Sequence, residues 1–510
     1  MFKFQVQQWP LVVAASLAFV GMSSAMAAPK VTRLTPPSEL FSSGNQGPVI
    51  ARFLPDQRFD LQATIVPDAA DKTIVKATFF MDGAEIKMPV ALKSCATGCL
   101  PKVSTNASIA SLRAMTATKP GVHVFHIEAT QNDGQTVKAS GNFEIVPWQV
   151  GGQKIKNIII MLGDGMGAAQ RTAARIVANG YAQGKAKSPL AMDTFPISGQ
   201  VKTSSLNSLV TDSSPGMSAY VLGNKNNNNE EGVFPDDTID PFDNPRIEYL
   251  SEYLQRTQGK SLGLVTTADV FDATPAANAV HTSNRGAGTG IVDQYLDDRK
   301  LTGLSVLMGG GRKWFLPSTV PGSARSNGND YQFSATDPHT ADIVKRWNAA
   351  PGKLDKDRDL IADFQSAGFK YASDLTSLNA IDTQSTDKLL GLFAYSNMNV
   401  ALDKMDGRRN VAKGIKGRVV DDYGFPDQPM LEEMTTKALG VLQKNKKGFV
   451  LMVEGASIDK QAHNMDTERW ILDTIEFDRA IQVAKDFADK DGQTLVIVTA
   501  DHECSGVALI

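Results

Sequence analysis

Two different patterns of hydrophobic and polar positions divide the chain. From about residue 48 to residue 147, apolar and polar residues alternate in short segments, most clearly in Phe59–Ile65, Val75–Phe80 and Gly121–Ile127. Turn signals such as Met81-Asp82-Gly83 separate these segments. Alternation with a period of two and short connections is typical of antiparallel strands. The pattern predicts a small antiparallel β-sandwich in this part of the chain.

Continuous apolar runs replace the alternation after Trp148. The first run is Asn157–Leu162, and a helix-like stretch follows it through Ala178. Similar runs occur at Ser261–Thr266, Gly448–Val453 and Thr494–Thr499. Strands that are buried on both faces of a parallel sheet have this composition. The pattern therefore predicts an α/β fold with a largely parallel central sheet flanked by helices.

Residues 1–27 are predicted to be an export signal. Lys3 is the only charged residue there, Leu11–Met22 is apolar, and Ala25-Met26-Ala27 offers a small-residue cleavage site. The expected organisation is a signal peptide at 1–27, an immunoglobulin-like β-sandwich accessory domain at 28–150 and an α/β domain at 151–510. The protein is therefore expected to be exported, either periplasmic or secreted. No later run approaches the roughly 20 apolar residues of a transmembrane helix, so no transmembrane segment is predicted.

Composition narrows the classes of partner. The 510 residues are 42% hydrophobic, which is enough to bury a large core, and the formal net charge is −3. A nearly neutral surface has no general attraction for nucleic acid or anionic lipid, so no nucleic-acid-binding patch is expected. Any affinity for anionic groups must therefore be local.

Cysteines and polar insertions supply a few structural expectations. Cys95 and Cys99 can close a small disulfide loop in an oxidising compartment, or remain two unpaired thiols, and Cys504 is interpreted as a packing residue. The polar stretches at residues 224–246 and 318–355 are predicted to be surface loops. His123 and His126 fall on opposite faces of one predicted strand and are interpreted as structural.

Metal-ligand residues follow the predicted strands at 157–162, 448–453 and 494–499. They are Asp164, Glu454, Asp459, His463, Asp501 and His502. Asp459 and His463 are four residues apart, so on a helix they face the same side and can bind one ion together. Zinc accepts such nitrogen and oxygen ligands, whereas magnesium prefers oxygen alone. Each residue taken singly also has a structural explanation, such as a helix cap or an intrahelical pair, and the combination is what indicates a metal site.

The candidate nucleophile is Ser213, in the segment Thr211-Asp212-Ser213-Ser214-Pro215. Pro215 suits the first position of a helix, which would make Ser214 the N-cap residue. The amides at a helix N-terminus suit a phosphoryl oxygen. A serine needs a base or a metal for activation, and the acidic cluster can supply the metal.

Six motifs, in this order along residues 155–510, resemble the alkaline phosphatase family. They are Gly163-Asp164-Gly165-Met166-Gly167, Thr211-Asp212-Ser213, Asp272-Ala273-Thr274-Pro275-Ala276-Ala277, Gly309-Gly310-Gly311-Arg312, Val453-Glu454-Gly455-Ala456-Ser457-Ile458-Asp459 and Thr499-Ala500-Asp501-His502-Glu503. The resemblance implies that residues 151–510 form a catalytic domain that hydrolyses phosphate monoesters through a phosphoserine. The sandwich lies outside the resemblance.

The resemblance also implies roles for individual residues. Ser213 would be the phosphorylated nucleophile, and Arg285 would clamp the phosphate through its planar guanidinium. The cofactors implied are two zinc ions and one magnesium ion. Their implied ligands are Asp164, Asp501 and His502 for the zinc that activates the serine, Asp459 and His463 for the second zinc, and Asp164, Thr274 and Glu454 for magnesium. Asp272 and Lys460 match family positions near the phosphate and the magnesium ion. Residues at these positions support the site without binding a metal ion themselves.

Two alternatives to a phosphatase remain open at this point. Sulfatases and phosphodiesterases are related to the family, and Ser213–Met217 resembles a sulfatase string except that Met217 stands where arginine is required. A diesterase usually has threonine as its nucleophile. The other alternative is a surface binding or adhesion protein with an impaired catalytic domain, since a sandwich precedes that domain.

The second zinc site departs from the family pattern. A further histidine normally completes it, but His502 is the last of the six histidines in the sequence. Because catalytic zinc generally has three protein ligands, the expectation is that the sequence is C-terminally truncated and that the missing ligand lies downstream. The resemblance also implies a homodimer, since members of the family often form dimers.

Overall fold

The computed structural model describes residues 28–41, 51–147, 151, 155–410 and 427–509. The predicted signal peptide lies outside the described residues. No helix among the described residues has the length and apolar character that crossing a membrane requires.

Two sheets form the N-terminal part of the described chain. Their strands are β1 Lys30–Thr35, β2 Ala51–Phe53, β3 Phe59–Val66, β4 Ile74–Met81, β5 Ala84–Glu85, β6 Ala91–Ser94, β7 Ser108–Met115, β8 Gly121–Gln131 and β9 Thr136–Ile145. One sheet has the order β1-β3-β7-β6 and the other has the order β2-β9-β8-β4-β5. The predicted strands at 59–65, 75–80 and 121–127 are confirmed. The short edge strand β2 departs from the antiparallel pattern, since it pairs parallel to β9.

A seven-stranded sheet, parallel at every pair, forms the centre of the second part. Its strands are β10 Asn157–Gly163, β13 Ser261–Asp269, β14 Leu304–Gly310, β15 Lys370–Ala372, β16 Leu389–Leu392, β17 Phe449–Gly455 and β18 Thr494–Thr499, in the order β15-β16-β14-β13-β17-β10-β18. The short strands β11 Tyr181–Ala182 and β12 Lys185–Ala186 form a separate hairpin. The predicted α/β fold is confirmed.

Helices flank the central sheet. They are α1 Ala168–Asn179, α2 Ser213–Leu222, α3 Leu250–Gln258, α4 Ala273–Ala276, α5 Gly288–Asp297, α6 Arg299–Thr302, α7 Pro338–Asp342, α8 Leu360–Ser366, α9 Leu375–Ala380, α10 Ala401–Asn410, α11 Leu431–Leu442, α12 Ser457–His463 and α13 Thr467–Asp491. α13 packs against α11, α12 and α1. Its buried face includes Trp470, Phe477 and Ile481.

Strand register brings the candidate site together. Leu162 of β10 pairs with Glu454 of β17 on one side and with Thr499 of β18 on the other. Thr266 of β13 also pairs with Glu454. Because these strands are parallel, their carboxyl ends meet at one edge of the sheet, where sites of open α/β sheets are built.

The polar stretch at residues 224–246 is not the predicted surface loop. Val233, Phe234 and Arg246 within it are almost completely buried. The stretch lies between the two parts of the molecule: Asn224 Oδ1 accepts a hydrogen bond from the amide of Arg52 at 2.9 Å. Its abundant Asn and Asp side chains made it look exposed, but buried polar groups are stable when each finds a partner.

A buried network joins the two parts and corrects the interpretation of His339. This histidine belongs to the stretch at residues 318–355 that was predicted to be a surface loop, yet it is fully buried. Its Nδ1 lies 3.0 Å from Ser111 Oγ, and its Nε2 lies 3.4 Å from Asp243 Oδ2 and 2.9 Å from Arg113 Nη2. Arg113 also pairs with Asp60 at 2.8 Å. The apolar core is likewise continuous, because one cluster contains residues of both parts.

Candidate active site

Ser213 lies against the ends of β10 and β18. Its Oγ is 3.5 Å from both carboxylate oxygens of Asp164 and 3.3 Å from His502 Nε2. Asp501 Oδ1 accepts hydrogen bonds from the amides of Gly165 and His502, at 3.1 and 2.9 Å. The other oxygen, Asp501 Oδ2, is buried and accepts no hydrogen bond, although His502 Nε2 lies 3.2 Å from it. The four side chains predicted to act together here are thus in one place.

The start of α2 differs from the sequence prediction. The N-cap residue is Asp212, whose Oδ1 accepts a hydrogen bond from the amide of Ser214 at 2.8 Å. Ser213 is therefore the first residue of the helix, and Ser214 is not its cap. The cap prediction placed Pro215 at the first helical position, whereas it occupies the third. At the other end of α2, the hydroxyl of Tyr220 donates to the backbone oxygen of Ala500 at 2.8 Å, which ties the helix to the end of β18.

A second group of ligand atoms lies on α12. His463 Nε2 is 3.3 Å from Asp459 Oδ2, as the four-residue spacing predicts. Asp459 Oδ1 is buried and has no hydrogen-bond partner, whereas the His463 side chain is largely exposed. The sulfur of Cys504 lies beside them, and ligand atoms of these three residues are all within 4.8 Å of one another.

The residues matched to the magnesium site are deeply buried. Glu454 is 1% exposed and accepts a hydrogen bond from Thr266 Oγ1 at 2.5 Å. Thr274, in α4, is also 1% exposed, and its hydroxyl has no hydrogen-bond partner. Thr266 was not predicted as a site residue, because a threonine inside an apolar strand gives no functional signal.

Negative charge accumulates in the site. Burial raises the pKa of Asp164 well above its ordinary value, and the charges of Asp501 and Asp459 raise it further. Burial likewise raises the pKa of Glu454 to about 8 and that of Asp501 to about 6. Buried carboxylates that raise one another's pKa are stabilised by a bound cation, which is the electrostatic setting of a metal site.

Arg285, Asp272 and Lys460 form a chain of ion pairs beside Ser213. Arg285 Nη2 donates to Asp272 Oδ1 at 2.8 Å, and Lys460 Nζ donates to Asp272 Oδ2 at 2.6 Å. Burial opposes ionisation of Asp272, but the two cations hold its pKa well below the usual value. Arg285 Nη1 also lies 3.6 Å from Asp212. The guanidinium therefore lies beside Asp212, the residue directly before Ser213.

Sequence reasoning missed Glu231. Its Oε1 accepts a hydrogen bond from Ser214 Oγ at 3.0 Å, and its backbone pairs with Thr282, three residues before Arg285. Asn229, two residues before Glu231, also contacts the start of α2, since its amide donates a hydrogen bond to Asp212 Oδ2 at 2.7 Å. The signal that was available is the apolar pair Val233-Phe234 in this polar stretch, which indicates burial.

Other conspicuous residues have structural roles. His281 is buried, and its ring nitrogens contact the backbone oxygen of Gly232 and the carboxylate of Glu252. Arg312 donates to the backbone oxygens of Ser373 and Leu392, so it does not face the site. Gly311 adopts φ +92°, in the left-handed region that glycine favours, at the turn that follows β14.

Two further acidic clusters are neutralised by cations. Asp236, Asp243 and His339 lie together, but Arg113 and Lys93 contact this group. The other cluster comprises Asp293, Asp330 and Asp355, and Arg325 donates to two of its members. Neither cluster has the uncompensated negative charge of the group around Asp164.

A family model described as Alkaline phosphatase matches residues 155–508. The chain belongs to the alkaline phosphatase family. The alkaline phosphatase of Escherichia coli strain K12 is 33% identical over 375 residues, covering 68% of this chain and 70% of that protein. That of Escherichia fergusonii is 32% identical over 418 residues, covering 76% of this chain and 79% of that protein.

Solved structures agree with this family. The alkaline phosphatase of Thermus thermophilus has a TM-score of 0.51 at 25% identity, covering 69% of this chain and 60% of that one. The cold-active alkaline phosphatase of Shewanella sp. has a TM-score of 0.50 at 25% identity and covers 68% of each chain. As a member of the alkaline phosphatase family, this chain is a phosphomonoester hydrolase of a metal-dependent family.

Proposed function

We propose that this alkaline phosphatase hydrolyses phosphate monoesters through a phosphoserine formed on Ser213, with two zinc ions and one magnesium ion bound. The observation that supports this most directly is the contact of Ser213 Oγ with both Asp164 and His502. A serine alone is a weak nucleophile, and here it lies among metal-ligand atoms at a helix N-terminus. The site thus provides both activation and a place for the phosphoryl oxygens.

The donor atoms fit the proposed metals. Asp164, Asp501 and His502 would hold one zinc ion, and Asp501 Oδ2 is a buried oxygen that accepts no hydrogen bond. Asp459 and His463 would help to hold the second zinc ion. Asp164, Thr274 and Glu454 offer oxygen only, as magnesium prefers, and the Thr274 hydroxyl also has no partner. Unsatisfied buried oxygens destabilise a protein unless a cation or water contacts them.

Individual residues of the chain have separate roles in the proposed reaction. Ser213 would attack phosphorus, and the positive end of the α2 dipole, where Ser213 is the first residue, favours the negative phosphoryl oxygens. Arg285 binds two phosphate oxygens through its fork of N–H donors, and Asp272 orients it. Lys460 holds Asp272 from the other side. When bound by these residues, the cations would supply positive charge for both the attacking and the leaving oxygen.

The competing activities can be separated on one preparation. We expect turnover of p-nitrophenyl phosphate, loss of turnover on chelation, and recovery when zinc and magnesium are returned. Metal analysis should give two zinc ions and one magnesium ion per chain. Faster hydrolysis of p-nitrophenyl sulfate or of bis(p-nitrophenyl) phosphate would indicate the sulfatase or diesterase alternative. Retained metals without any turnover would indicate a catalytically impaired binding protein.

We further propose the following organisation. Residues 1–27 are a signal peptide that exports the protein to the periplasm or the medium, residues 28–150 are an immunoglobulin-like accessory domain, and residues 151–510 are the catalytic domain. The disulfide between Cys95 and Cys99 supports an oxidising compartment. A homodimer is proposed from the family alone, and the molecular mass in solution tests it.

A further inference from the structure

The polar stretch at residues 224–246 depends on other parts of the chain for its shape. Residues 223–249 form isolated bridges but no helix or strand, so their own backbone hydrogen bonds do not fix them. A loop of this length inside a packed protein is uncommon, and such loops are often functional. The conformation of the stretch must therefore come from its neighbours.

The sandwich holds both ends of the stretch. At one end, the Asn224 side chain accepts a hydrogen bond from the amide of Arg52 at 2.9 Å and donates to the backbone oxygen of Arg52 at 2.6 Å. At the other end, the amide of Asp60 donates to the backbone oxygen of Arg246 at 3.0 Å, and the amide of Arg246 donates to Asp60 Oδ2 at 2.8 Å. Asp60 belongs to β3, and seven of the eight residues of this strand are buried. An antiparallel sheet commonly leaves one face in water, whereas β3 is covered on both faces.

The sandwich also holds the middle of the stretch, at Asp237. The amide of Leu100, which directly follows the disulfide loop at residues 95–99, donates to the backbone oxygen of Asp237 at 2.8 Å. The hydroxyl of Thr64, in β3, donates to Asp237 Oδ2 at 2.8 Å, and Arg33 Nε lies 3.0 Å from the same oxygen. Thr64 and Asp237 are both buried, so water does not weaken these contacts.

Between these points the stretch contacts the candidate active site. The amide of Asn229 donates to Asp212 Oδ2, and the backbone oxygen of Asn229 accepts a hydrogen bond from the amide of Arg285 at 3.1 Å. Two residues further on, the carboxylate of Glu231 accepts the hydrogen bond from Ser214. The stretch therefore touches both the N-cap of α2 and the backbone of the arginine that is proposed to bind phosphate.

We propose that the sandwich positions Arg285 for phosphate binding through the polar stretch. The sandwich fixes the stretch at Asn224, Asp237 and Arg246, and the stretch fixes the backbone of Arg285 and the start of α2. This inference rests on the role of Arg285 proposed above, and it makes Thr64 a positioning residue for the same reaction. The alternative is a sandwich that packs against the catalytic part and adds stability without any effect on phosphate binding.

The affinity of the full chain for inorganic phosphate tests the proposal. Thr64→Val removes the hydroxyl that holds Asp237 and keeps the shape of the side chain. The dissociation constant of inorganic phosphate, measured by phosphorus NMR titration, should rise roughly threefold to tenfold. The zinc content should stay at the wild-type value, because the Thr64 hydroxyl contacts Asp237 and not a proposed metal ligand. Thr64→Ser keeps the hydroxyl and should restore the wild-type affinity.

Ile127→Val is the control for a loss of stability alone. Ile127 is fully buried in β8, in the sheet that does not contain β3. Removal of one methylene group there leaves a small cavity, which should lower the Tm without changing the affinity for phosphate. An equal loss of phosphate affinity in Ile127→Val and Thr64→Val would show that stability alone is responsible, and would overturn the positioning role.

The disulfide loop offers a second variant for the same measurement. Cys95→Ser combined with Cys99→Ser opens the loop that precedes Leu100 and leaves Thr64 intact. The phosphate dissociation constant should rise in this variant as well, because the contact between Leu100 and Asp237 is then held less firmly. An unchanged constant in each of these variants that folds would overturn the positioning role.

A double-mutant cycle identifies the route. If Thr64 acts through the stretch, Thr64→Val and Glu231→Ala disturb the same contacts, so their effects on the phosphate dissociation constant should be less than additive. Additive effects would overturn the role of the stretch and leave the proposed function standing. A full chain that neither binds phosphate nor turns over p-nitrophenyl phosphate would overturn both.

Discussion

The carboxylate of Glu231 accepts a hydrogen bond, 3.0 Å long, from the hydroxyl of Ser214, the residue directly after the proposed nucleophile Ser213. The backbone of Glu231 exchanges two hydrogen bonds with Thr282, at 2.8 and 3.0 Å. Thr282 leads to Arg285, so one residue connects the start of α2 to the proposed phosphate clamp. Burial raises the pKa of Glu231 well above its ordinary value, although the positive charge of Arg285 opposes the shift.

Glu231→Ala should therefore damage both stability and phosphate binding. Removing the acceptor leaves the buried Ser214 hydroxyl unsatisfied, which costs about 1–3 kcal/mol in the free energy of unfolding. Displacement of Arg285 should weaken inhibition by inorganic phosphate. Glu231→Gln is the matched control, since its amide oxygen still accepts the hydrogen bond, and it should remain close to wild type in both measurements. Unchanged phosphate inhibition in Glu231→Ala would show that Glu231 does not position Arg285.

Ser213→Ala and Ser214→Ala should differ sharply. Ser213→Ala should abolish the trapped phosphoenzyme and lower kcat/KM by on the order of 10³-fold or more. Ser214→Ala should keep most of the turnover, because its hydroxyl contacts Glu231 and not the metal ligands. Its cost should appear as a lower thermal stability instead. Equal loss of phosphoenzyme in both variants would show that Ser213 is wrongly assigned.

The sequence predicted strands correctly where the pattern of apolar residues reflects the burial of the strand. The runs at 157–162 and 448–453 are apolar because β10 and β17 lie inside the central sheet. The run at 494–499 also forms a predicted strand, β18, but β18 is the edge strand and is only partly buried, so the expected burial on both faces is wrong for it. β14 was missed, since its end was interpreted only as a glycine motif. The stretch at 224–246 was predicted wrongly, because its polar residues satisfy one another between two packed parts of the chain and composition alone does not reveal such a partner.

The residues of the candidate site could likewise be predicted only where the sequence pattern reveals their place in the fold. Residues directly after strands, such as Asp164 and His502, could be predicted, because parallel strands end at a common edge. Glu231 could not, since it reaches the site from a loop through tertiary packing. The cap of α2 was misplaced by two residues: a proline inside the first turn fits several positions, and only the backbone shows that Asp212 is the cap.

Arg285→Ala should weaken inhibition by inorganic phosphate by roughly tenfold to a hundredfold, since hydrogen bonds to charged groups contribute about 1.5–3 kcal/mol. Its zinc content should remain at the wild-type value, because the guanidinium contacts Asp272 and Asp212, not the zinc ligands. Arg312→Ala is the control: this guanidinium binds backbone oxygens, so its loss should lower stability without changing phosphate inhibition. The reverse pattern would indicate that Arg312, and not Arg285, binds the phosphate.

The ion pair between Asp60 and Arg113 should be critical for stability. Both side chains are fully buried and 2.8 Å apart, and Arg113 also donates to the backbone oxygens of Asp243 and Asn244. Removing one partner of a buried pair costs about 3–5 kcal/mol. Arg113→Ala should therefore lower the Tm markedly, and the sandwich and the α/β part should still unfold in one transition. The exposed pair of Lys72 and Asp133 is the control, and Lys72→Ala should change the Tm very little.

Metal removal should make stability depend on pH. In the metal-free protein, the pKa of Glu454 is raised from 4.5 to about 8. Burial is the larger cause, and the negative charge of Asp164 adds to it. A carboxyl whose pKa is raised by folding stabilises the folded state fully below its unfolded pKa, and this contribution is lost as the pH rises through the folded value. The Tm of the chelated protein should thus fall between pH 5 and pH 8, while that of the metal-loaded protein should stay nearly level, because the cations replace the protons. Glu454→Gln should flatten the curve of the chelated protein, since the amide has the same shape and does not titrate. Equal slopes for the chelated and metal-loaded proteins would mean that Glu454 does not lie in the metal site.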